Sequence, residues 1–413
     1  MVKHMKKTLI CIFLMFFMIL PVHAEDIELE SDYYLLIDAD NQQILMQQGA
    51  DELIYPASMT KMMTLIIALE NVDDHDEMLT LDNEVFKGLY EANASMAGFS
   101  LNEQVSIKDC LYGLFLPSGA ECTRALAIKT AGSEEAFVHL MNEKALQLNM
   151  KDTHFVNTTG LHDKDHVTTL NDLLKLMQYC LNNEDFYEIF TTKEYTATSG
   201  TKHKELKMNS TLFKRLNKED AQLILGGKTG YTNPAGLCLA SLSSKDGRNL
   251  ILITAHAPIS TTPYHLLDAI NTYRYIYENT HKINLCELDD EITEVSVQFT
   301  RPQATTILYP ESTTQLTFNK SVTQDDFTVK IAVNENITAP LNPNDVLGQM
   351  SIYYDGVLLD TVNLITHDTI ELSKLSVFLH EAEIFIQTYW KTGLVTGIVL
   401  ISLLMIRKKM SGK

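Results

Sequence analysis

The sequence has 413 residues, with 33 lysines and arginines against 53 aspartates and glutamates, and a formal net charge of −20. This length favours two folded domains plus terminal segments, and the 45% hydrophobic fraction is sufficient for packed cores. The acidic balance argues against a nucleic-acid partner, because phosphates are neutralised by lysine and arginine.

The first 24 residues have the pattern of a secretory signal peptide. Three lysines within the first seven residues precede the apolar run 9–20, and Ala24 ends a stretch suited to cleavage. A first transmembrane helix is the alternative, but the apolar run is short for one. We therefore expect the mature chain to begin near Glu25 and to work outside the cytoplasm.

The mature chain begins with a predicted hairpin and a predicted buried helix. Two β-like runs, 33–38 and 42–47, flank turn residues. Residues 55–71 then favour a helix that is apolar on nearly every side, which is typical of the middle of a domain. Ser58 and Lys61 lie three residues apart at its start, so they share one face. Burial lowers the pKa of a lysine and lets it act as a base toward a serine hydroxyl.

This serine–lysine pair is weak evidence by itself. A second Ser-x-x-Lys, Ser199 to Lys202, lies in a polar stretch without apolar periodicity, which predicts an exposed loop. For Ser58 and Lys61 the alternative is a capping serine and a solvated lysine. The spacing alone leaves both interpretations open.

Residues 72–225 are predicted to be mainly helical, and strands return after them. The predicted helices are 106–115, 121–131, 133–148 and 169–181, with Gly132 as a C-cap. Two strands, 237–243 and 250–255, are joined by a turn that contains Asp-Gly, and helix 263–277 follows. The predicted fold class of residues 25–283 is therefore α+β, with an antiparallel sheet flanked by helices and an inserted helical subdomain.

The remaining chain divides into a β-rich domain and a C-terminal membrane segment. Period-two alternation predicts a small all-β domain over 284–366, with a hairpin turn at Asp355-Gly356. Residues 367–388 favour an amphipathic stalk helix, and 389–406 favour a transmembrane helix near the lower limit of length. The basic tail 407–413 then predicts a cytoplasmic C-terminus and a single-pass membrane protein.

Five cysteines remain once the signal peptide is removed, and their scattered spacing predicts neither a disulfide framework nor a metal site. The sequence contains neither a His-Glu-x-x-His nor a Gly-x-Ser-x-Gly motif. Zinc hydrolases and α/β-hydrolases are therefore not indicated.

Two further motifs accompany the serine–lysine pair. Ser118-Gly119-Ala120 forms a tight turn before the predicted helix 121–131, and the alternative role of Ser118 is that of an N-cap. Lys228-Thr229-Gly230-Tyr231 is flanked by glycine and leads into a strand, so another backbone can approach it closely. Lys-Thr-Gly recurs at 391–393, but without this context.

Together these motifs resemble those of the penicillin-recognising serine enzymes. The chain is most similar to the low-molecular-mass penicillin-binding D-alanyl-D-alanine carboxypeptidases, through the stretches YPASMTKMMT, LPSGAECTRALA and GGKTGYTNPAGLCLA among others. The similarity extends through most of residues 32–280. It implies the β-lactamase/DD-peptidase-like fold, a β-rich second domain and a membrane-attaching tail.

The resemblance also implies a role for each site residue. Ser58 would attack the peptide bond that precedes the terminal D-alanine of a peptidoglycan stem peptide, with Lys61 as its base and Ser118 as a proton relay. Lys228 and Thr229, with Gly230 beside them, would bind the terminal carboxylate. The N–H groups of Ser58 and Tyr231 would form the oxyanion hole. No metal or organic cofactor is implied, and β-lactam antibiotics would acylate Ser58.

One position departs from the family pattern. Ala120 stands where the family usually has asparagine, whose amide is expected to help bind the acyl carbonyl. This keeps a second hypothesis open, a catalytically weak protein that binds penicillin or cell-wall peptides. A β-lactamase is the third and least favoured, because no acidic residue that activates a deacylating water is identified.

Overall fold

The computed structural model describes residues 27–410. They form two compact units, the first comprising 27–281 and 317–320, the second 282–316 and 321–410. The predicted signal peptide lies outside the described residues.

The first unit combines short strands with helices. Its strands are β1 (Tyr33–Asp38), β2 (Ile44–Gln48), β3 (Met78–Leu81), β4 (Glu103–Ser106), β5 (Glu194–Ala197), β6 (Leu206–Asn209), β7 (Gly226–Thr232), β8 (Gly236–Lys245) and β9 (Arg248–Ala257). Its α-helices are α1 (Lys61–Asn71), α2 (Asn83–Phe86), α3 (Ile107–Phe115), α4 (Ala120–Ala131), α5 (Glu134–Gln147), α6 (Leu170–Leu181), α7 (Glu184–Thr191) and α8 (Tyr264–Asn279). Its 3₁₀ turns are Ala57–Thr60, Phe213–Arg215 and Asp220–Gln222.

A five-stranded antiparallel sheet, in the order β2-β1-β9-β8-β7, joins the two ends of this unit. The turn between β8 and β9 contains Asp246 and Gly247 with φ of 52° and 75°, the backbone that a tight hairpin requires. The predicted α+β fold with an antiparallel sheet built from distant segments is confirmed.

The sheet is covered on both faces. Along β1, Leu35 and Ile37 pack into the cluster that contains α1, whereas Leu36 packs with Leu266 and Ile270 of α8. This alternation follows from the two-residue repeat of a strand, which sends neighbouring side chains to opposite faces. The helical layer that contains α1 therefore lies against one face and α8 against the other.

Helix α1 is buried through its first two turns, from Lys61 to Ala68, as its all-round apolar sequence predicts. The helix proper begins at Lys61, because Ala57–Thr60 forms a separate 3₁₀ turn. Ser58 therefore lies on the turn that precedes α1.

Residues 72–225 are less helical than predicted. The four predicted helices are present as α3 to α6 with ends shifted by one residue, and Gly132 has the left-handed backbone (φ 83°) of a C-cap. Two small hairpins, β3 with β4 and β5 with β6, are additional. Each of these strands has four residues, the shortest length over which period-two alternation can be recognised in a sequence.

The second unit contains an all-β sheet, which confirms the predicted class of this domain. Its five antiparallel strands lie in the order β11-β12-β16-β15-β14. The elements after α8 are β10 (Thr280–Cys286), β11 (Thr293–Val297), β12 (Ala304–Pro310), β13 (Thr314–Asn319), β14 (Phe327–Val333), β15 (Val346–Tyr354), β16 (Val357–Thr366), the 3₁₀ turn Gln324–Asp326 and α9 (Lys374–Met410). Its core contains Leu308, Ile352 and Leu364.

The C-terminal residues form one helix, α9, which begins at Lys374 rather than at the predicted residue 367. It runs through the predicted transmembrane segment 389–406. Within the described residues, no helix combines the length and the apolar character needed to cross a membrane. The predicted membrane span is therefore not supported by the structure.

Candidate active site

Ser58 lies on a turn against which two other segments, at Gly160 and Gly230, pack closely. Ala57, the preceding residue, has a left-handed backbone with φ of 47°. A Cβ on Gly160 would lie 1.9 Å from the Ala57 carbonyl oxygen, and one on Gly230 would lie 3.1 Å from the Ala57 Cβ. Only residues without a side chain allow both backbones to pack this closely. The Ser58 hydroxyl is consequently held on a crowded turn and remains half-buried.

The structure brings Ser58 and Lys61 together, as their spacing predicts. Lys61 Nζ lies 3.2 Å from Ser58 Oγ and donates a 2.6 Å hydrogen bond to the carbonyl oxygen of Thr159. Lys61 is only 2% exposed. Burial lowers its pKa to about 7, an effect that the negative charge of Glu121 partly opposes. Near neutral pH much of this amine is therefore unprotonated.

Ser118 lies in the turn between α3 and α4, with a left-handed backbone (φ 64°). Its Oγ is buried and has no hydrogen-bond partner among the described residues. The N-cap of α4 is Gly119, so the alternative interpretation of Ser118 as an N-cap is wrong. An unpaired hydroxyl of this kind is free to exchange protons or hydrogen bonds with a ligand.

The Lys-Thr-Gly motif lies on β7, the edge strand of the main sheet. Lys228 is 1% exposed, and its Nζ donates to the Thr229 carbonyl at 3.1 Å and lies 5.9 Å from the centre of the Phe115 ring. Burial, followed by the charge of Lys61, holds the pKa of Lys228 well below its usual range. Thr229 Oγ1 lies 2.6 Å from Thr211 Oγ1. Two buried amines thus lie close together, and the charge of Lys61 disfavours the protonation of Lys228.

These residues surround one cavity of about 980 Å³. Its lining includes most of the predicted site residues, namely Ser58, Lys61, Ser118, Thr229, Gly230 and Tyr231. Lys228 does not line this cavity. Tyr231 does line it, and its side chain is half exposed. The cavity therefore has a serine and a basic amine at one place, and hydroxyl groups around them.

Comparison with known proteins identifies the family to which this chain belongs. Residues 21–258 match the family described as D-alanyl-D-alanine carboxypeptidase. This segment covers more than half of the chain and includes every residue of the site. The chain belongs to the D-alanyl-D-alanine carboxypeptidase family. Residues 281–372 match the C-terminal domain of penicillin-binding protein 5.

Individual relatives agree with this membership of the D-alanyl-D-alanine carboxypeptidase family. A D-alanyl-D-alanine carboxypeptidase of Bacillus subtilis is 28% identical over 335 residues, which cover 80% of this chain and 83% of that protein. One from Escherichia coli is 25% identical over 360 residues, covering 82% and 85%. A crystal structure of penicillin-binding protein 5 from Haemophilus influenzae matches with a TM-score of 0.67 at 24% identity, covering 84% of this chain and 98% of that one. At this identity the structural match supports the fold alone.

Some residues of this carboxypeptidase-family site belong to no motif that could be recognised in the sequence. The Thr159 carbonyl anchors Lys61 from a loop far along the chain, and Thr211 contacts Thr229. Glu121 is fully buried, and its Oε1 accepts a 2.9 Å hydrogen bond from the Gly98 N–H. Burial raises the pKa of this carboxyl. Only the resemblance of the stretch around Thr159 to the family could have pointed to that residue.

The second Ser-x-x-Lys motif is a structural feature. Ser199 Oγ donates to Asp109 at 2.5 Å and accepts from the Ser106 N–H at 2.7 Å, while Lys202 donates to the Leu101 carbonyl. Ser199 is half-buried, so the prediction of an exposed loop is wrong at this residue. Among the described residues, the Ser199 hydroxyl is hydrogen-bonded to a buried carboxylate and to a backbone N–H, and to no lysine amine that could act as its base.

Proposed function

We propose that this protein is a serine-type D-Ala-D-Ala carboxypeptidase that removes the terminal D-alanine from peptidoglycan stem peptides. The observation that carries the proposal is the contact of Ser58 with a buried lysine whose pKa lies near 7. Membership of the D-alanyl-D-alanine carboxypeptidase family supports the same reaction.

In the first step, Ser58 Oγ attacks the carbonyl carbon of the penultimate D-alanine. Lys61 accepts the hydroxyl proton, which its neutral form is able to do near pH 7. The hydrogen bond to Thr159 holds the amine in place while it changes charge. The N–H groups of Ser58 and Tyr231 stabilise the oxyanion that develops on the carbonyl oxygen.

The terminal carboxylate is bound at the Lys-Thr-Gly strand. Thr229 offers its hydroxyl to the cavity, and Gly230 lets the substrate backbone come close. Lys228 lies behind them as a buried amine. An arriving carboxylate favours the protonated form of Lys228 and so gains a charge-assisted partner.

The leaving D-alanine receives its proton through Ser118. The Oγ of Ser118 is buried and unpaired among the described residues, so it is able to accept a proton from Lys61 while it passes its own to the leaving nitrogen. Water then hydrolyses the acyl-enzyme and regenerates Ser58. β-Lactams acylate the same serine and leave slowly.

A second candidate function follows from Ala120. This residue lines the cavity and is 1% exposed, in the place where the family usually has asparagine. Without that amide the acyl carbonyl loses one hydrogen bond, which favours a weak enzyme or a protein that only binds penicillin and cell-wall peptides. A β-lactamase is a third candidate with less support.

The test is the release of D-alanine from a peptide ending in D-Ala-D-Ala by the whole protein, with Ser58→Ala as the control. We expect release by the wild type and none by the variant. Stable penicillin labelling without D-alanine release would instead support the binding protein, and rapid penicillin turnover would support the β-lactamase.

We also propose that the protein works on the outer side of the cell membrane and is attached by its C-terminal helix. The signal-peptide pattern of residues 1–24 and the basic tail 407–413 support this orientation. The first part of α9 exposes large apolar side chains, among them Leu375, Phe378, Leu379, Phe385, Ile386 and Trp390. Apolar groups at this density are typical of a helix that enters a membrane interface.

The attachment is tested with cells whose wall has been removed. External protease is expected to digest residues 25–365 and to spare a C-terminal tag, and deletion of 370–413 is expected to release a soluble fragment that still binds penicillin. A tag cleaved from outside would contradict the predicted crossing at 389–406, and a fragment that stays on the membrane would contradict attachment by α9.

A further inference from the structure

A second cavity of about 400 Å³ lies beside the catalytic cavity. Lys193, Lys214 and Lys218 all line it, and Lys214 lines the catalytic cavity as well. The two spaces therefore adjoin at the side chain of Lys214.

The second cavity is cationic in an otherwise acidic chain. Among the described residues that line it, Glu194 is the single carboxylate residue, against three lysines. None of the three lysines forms an ion pair with a carboxylate anywhere in residues 27–410. The nearby Asp220 is already bound by Arg274 at 3.0 Å.

The lysines are held around a partly apolar wall. Lys193 Nζ lies 4.8 Å from the centre of the Phe213 ring and donates to the Ala221 carbonyl at 3.3 Å. Neither of these contacts neutralises its charge. The positive charge of the cavity is thus left for a ligand.

The position of Lys214 indicates which part of a substrate would reach this cavity. In the proposed function, Thr229 binds the terminal carboxylate, and Thr229 Oγ1 lies 2.6 Å from Thr211 Oγ1. Lys214 follows Thr211 by three residues, on the 3₁₀ turn Phe213–Arg215, and reaches both cavities. The cationic cavity therefore lies on the side of the leaving group.

We propose that this cavity is a subsite for a leaving group that carries a second carboxylate besides its terminal one. The inference rests on the proposed carboxypeptidase function. The reaction is unchanged: the bond from Ser58 Oγ to the D-alanyl carbonyl carbon forms, and the carbon–nitrogen bond to the leaving residue breaks. The proton taken from Ser58 passes to the leaving nitrogen.

The subsite predicts a charge-dependent preference among leaving groups. Two peptides that end in D-Ala-D-Glu and D-Ala-D-Gln are nearly isosteric and differ by one carboxylate. We expect kcat/KM to be about threefold to tenfold higher for the D-Glu peptide, the size of a partly exposed charge contact. Raising the salt concentration should reduce this ratio.

Single charge-removing variants identify the residues responsible. Lys214→Gln and Lys218→Gln should bring the ratio of the two kcat/KM values close to one, and both side chains are exposed, so folding is not at risk. Lys207→Gln is the matched control, because Lys207 is an exposed lysine of β6 that lines neither cavity. It should leave the ratio unchanged.

Two results would overturn the subsite. One is a wild-type kcat/KM for the D-Glu peptide that is no higher than that for the D-Gln peptide, while D-Ala-D-Ala is still hydrolysed. The other is a ratio of these two kcat/KM values that Lys214→Gln and Lys218→Gln change no more than Lys207→Gln does. A protein that releases no D-alanine from D-Ala-D-Ala would instead refute the proposed function, and the subsite with it.

Discussion

Lys61 Nζ lies 3.2 Å from Ser58 Oγ and is held at 2.6 Å by the carbonyl oxygen of Thr159. An amine can donate a hydrogen bond to a carbonyl oxygen whether it is neutral or protonated. The contact with Thr159 therefore keeps the Lys61 amine beside Ser58 in both charge states. Because the lysine is buried, its pKa is lowered to about 7, well below that of a free lysine. A neutral amine beside a serine can accept the hydroxyl proton, so that the serine is activated without a histidine.

The first prediction concerns pH. Lys61 acts as a base only when unprotonated, so its active fraction falls as the pH drops through about 7. We expect the second-order rate of acylation by a penicillin to fall about tenfold per pH unit below that value and to level off above it. A circular-dichroism spectrum at each pH controls for unfolding. A rate that stays constant from pH 5.5 to 8 would contradict the assignment of Lys61 as the base.

The second prediction concerns Gly160. A Cβ at this residue would lie 1.9 Å from the Ala57 carbonyl oxygen, so Gly160→Ala should displace the Ser58 turn. Gly247→Ala is the matched control, because Gly247 has a similar φ (75° against 78°) but, its two chain neighbours apart, no atom of the described residues within 4 Å of its added Cβ. The control should lower the free energy of unfolding by about 1 kcal/mol, the cost of a left-handed alanine.

For Gly160→Ala we expect a loss of stability larger than that of the control by about 2 kcal/mol or more, together with slower penicillin labelling. Urea unfolding measures the first quantity and the labelling rate the second. Equal stabilities and equal labelling rates for the two variants would show that the Ser58 turn does not depend on this close contact.

The third prediction concerns Ala120. If the family geometry is retained, the missing amide removes a hydrogen bond worth roughly 1–3 kcal/mol in a desolvated pocket. Acylation should then be slower than with asparagine by about tenfold to hundredfold, and Ala120→Asn should recover that rate. The second-order acylation rate of each protein is the measurement. A slower variant would mean that the cavity has reshaped around alanine.

The sequence predicts the local part of this site well. Ser58 and Lys61 are three residues apart, so a single turn of backbone brings them together, and the apolar run behind them predicts the burial that lowers the lysine pKa. The antiparallel sheet was likewise predictable, because β8 and β9 are long and are joined by Asp246-Gly247.

The contacts that complete the site come from distant segments and were not predictable. Thr159 reaches Lys61 across 98 positions of sequence, and no spacing rule connects them. Ser118 has a left-handed backbone, and the following Gly119 is packed so closely that a Cβ on it would lie 2.7 Å from the Gly113 carbonyl oxygen. Pattern reasoning offers helix capping as the alternative role of Ser118, because that is the commoner use of serine before a helix.

Labelling with a fluorescent penicillin shows which serine is the nucleophile, which we assign to Ser58. Ser199→Ala is the control, because it alters the other Ser-x-x-Lys motif, whose hydroxyl is bound to Asp109. We predict that the wild type and Ser199→Ala become covalently labelled and that Ser58→Ala does not. Persistent labelling of a folded Ser58→Ala protein would show that another residue is the nucleophile.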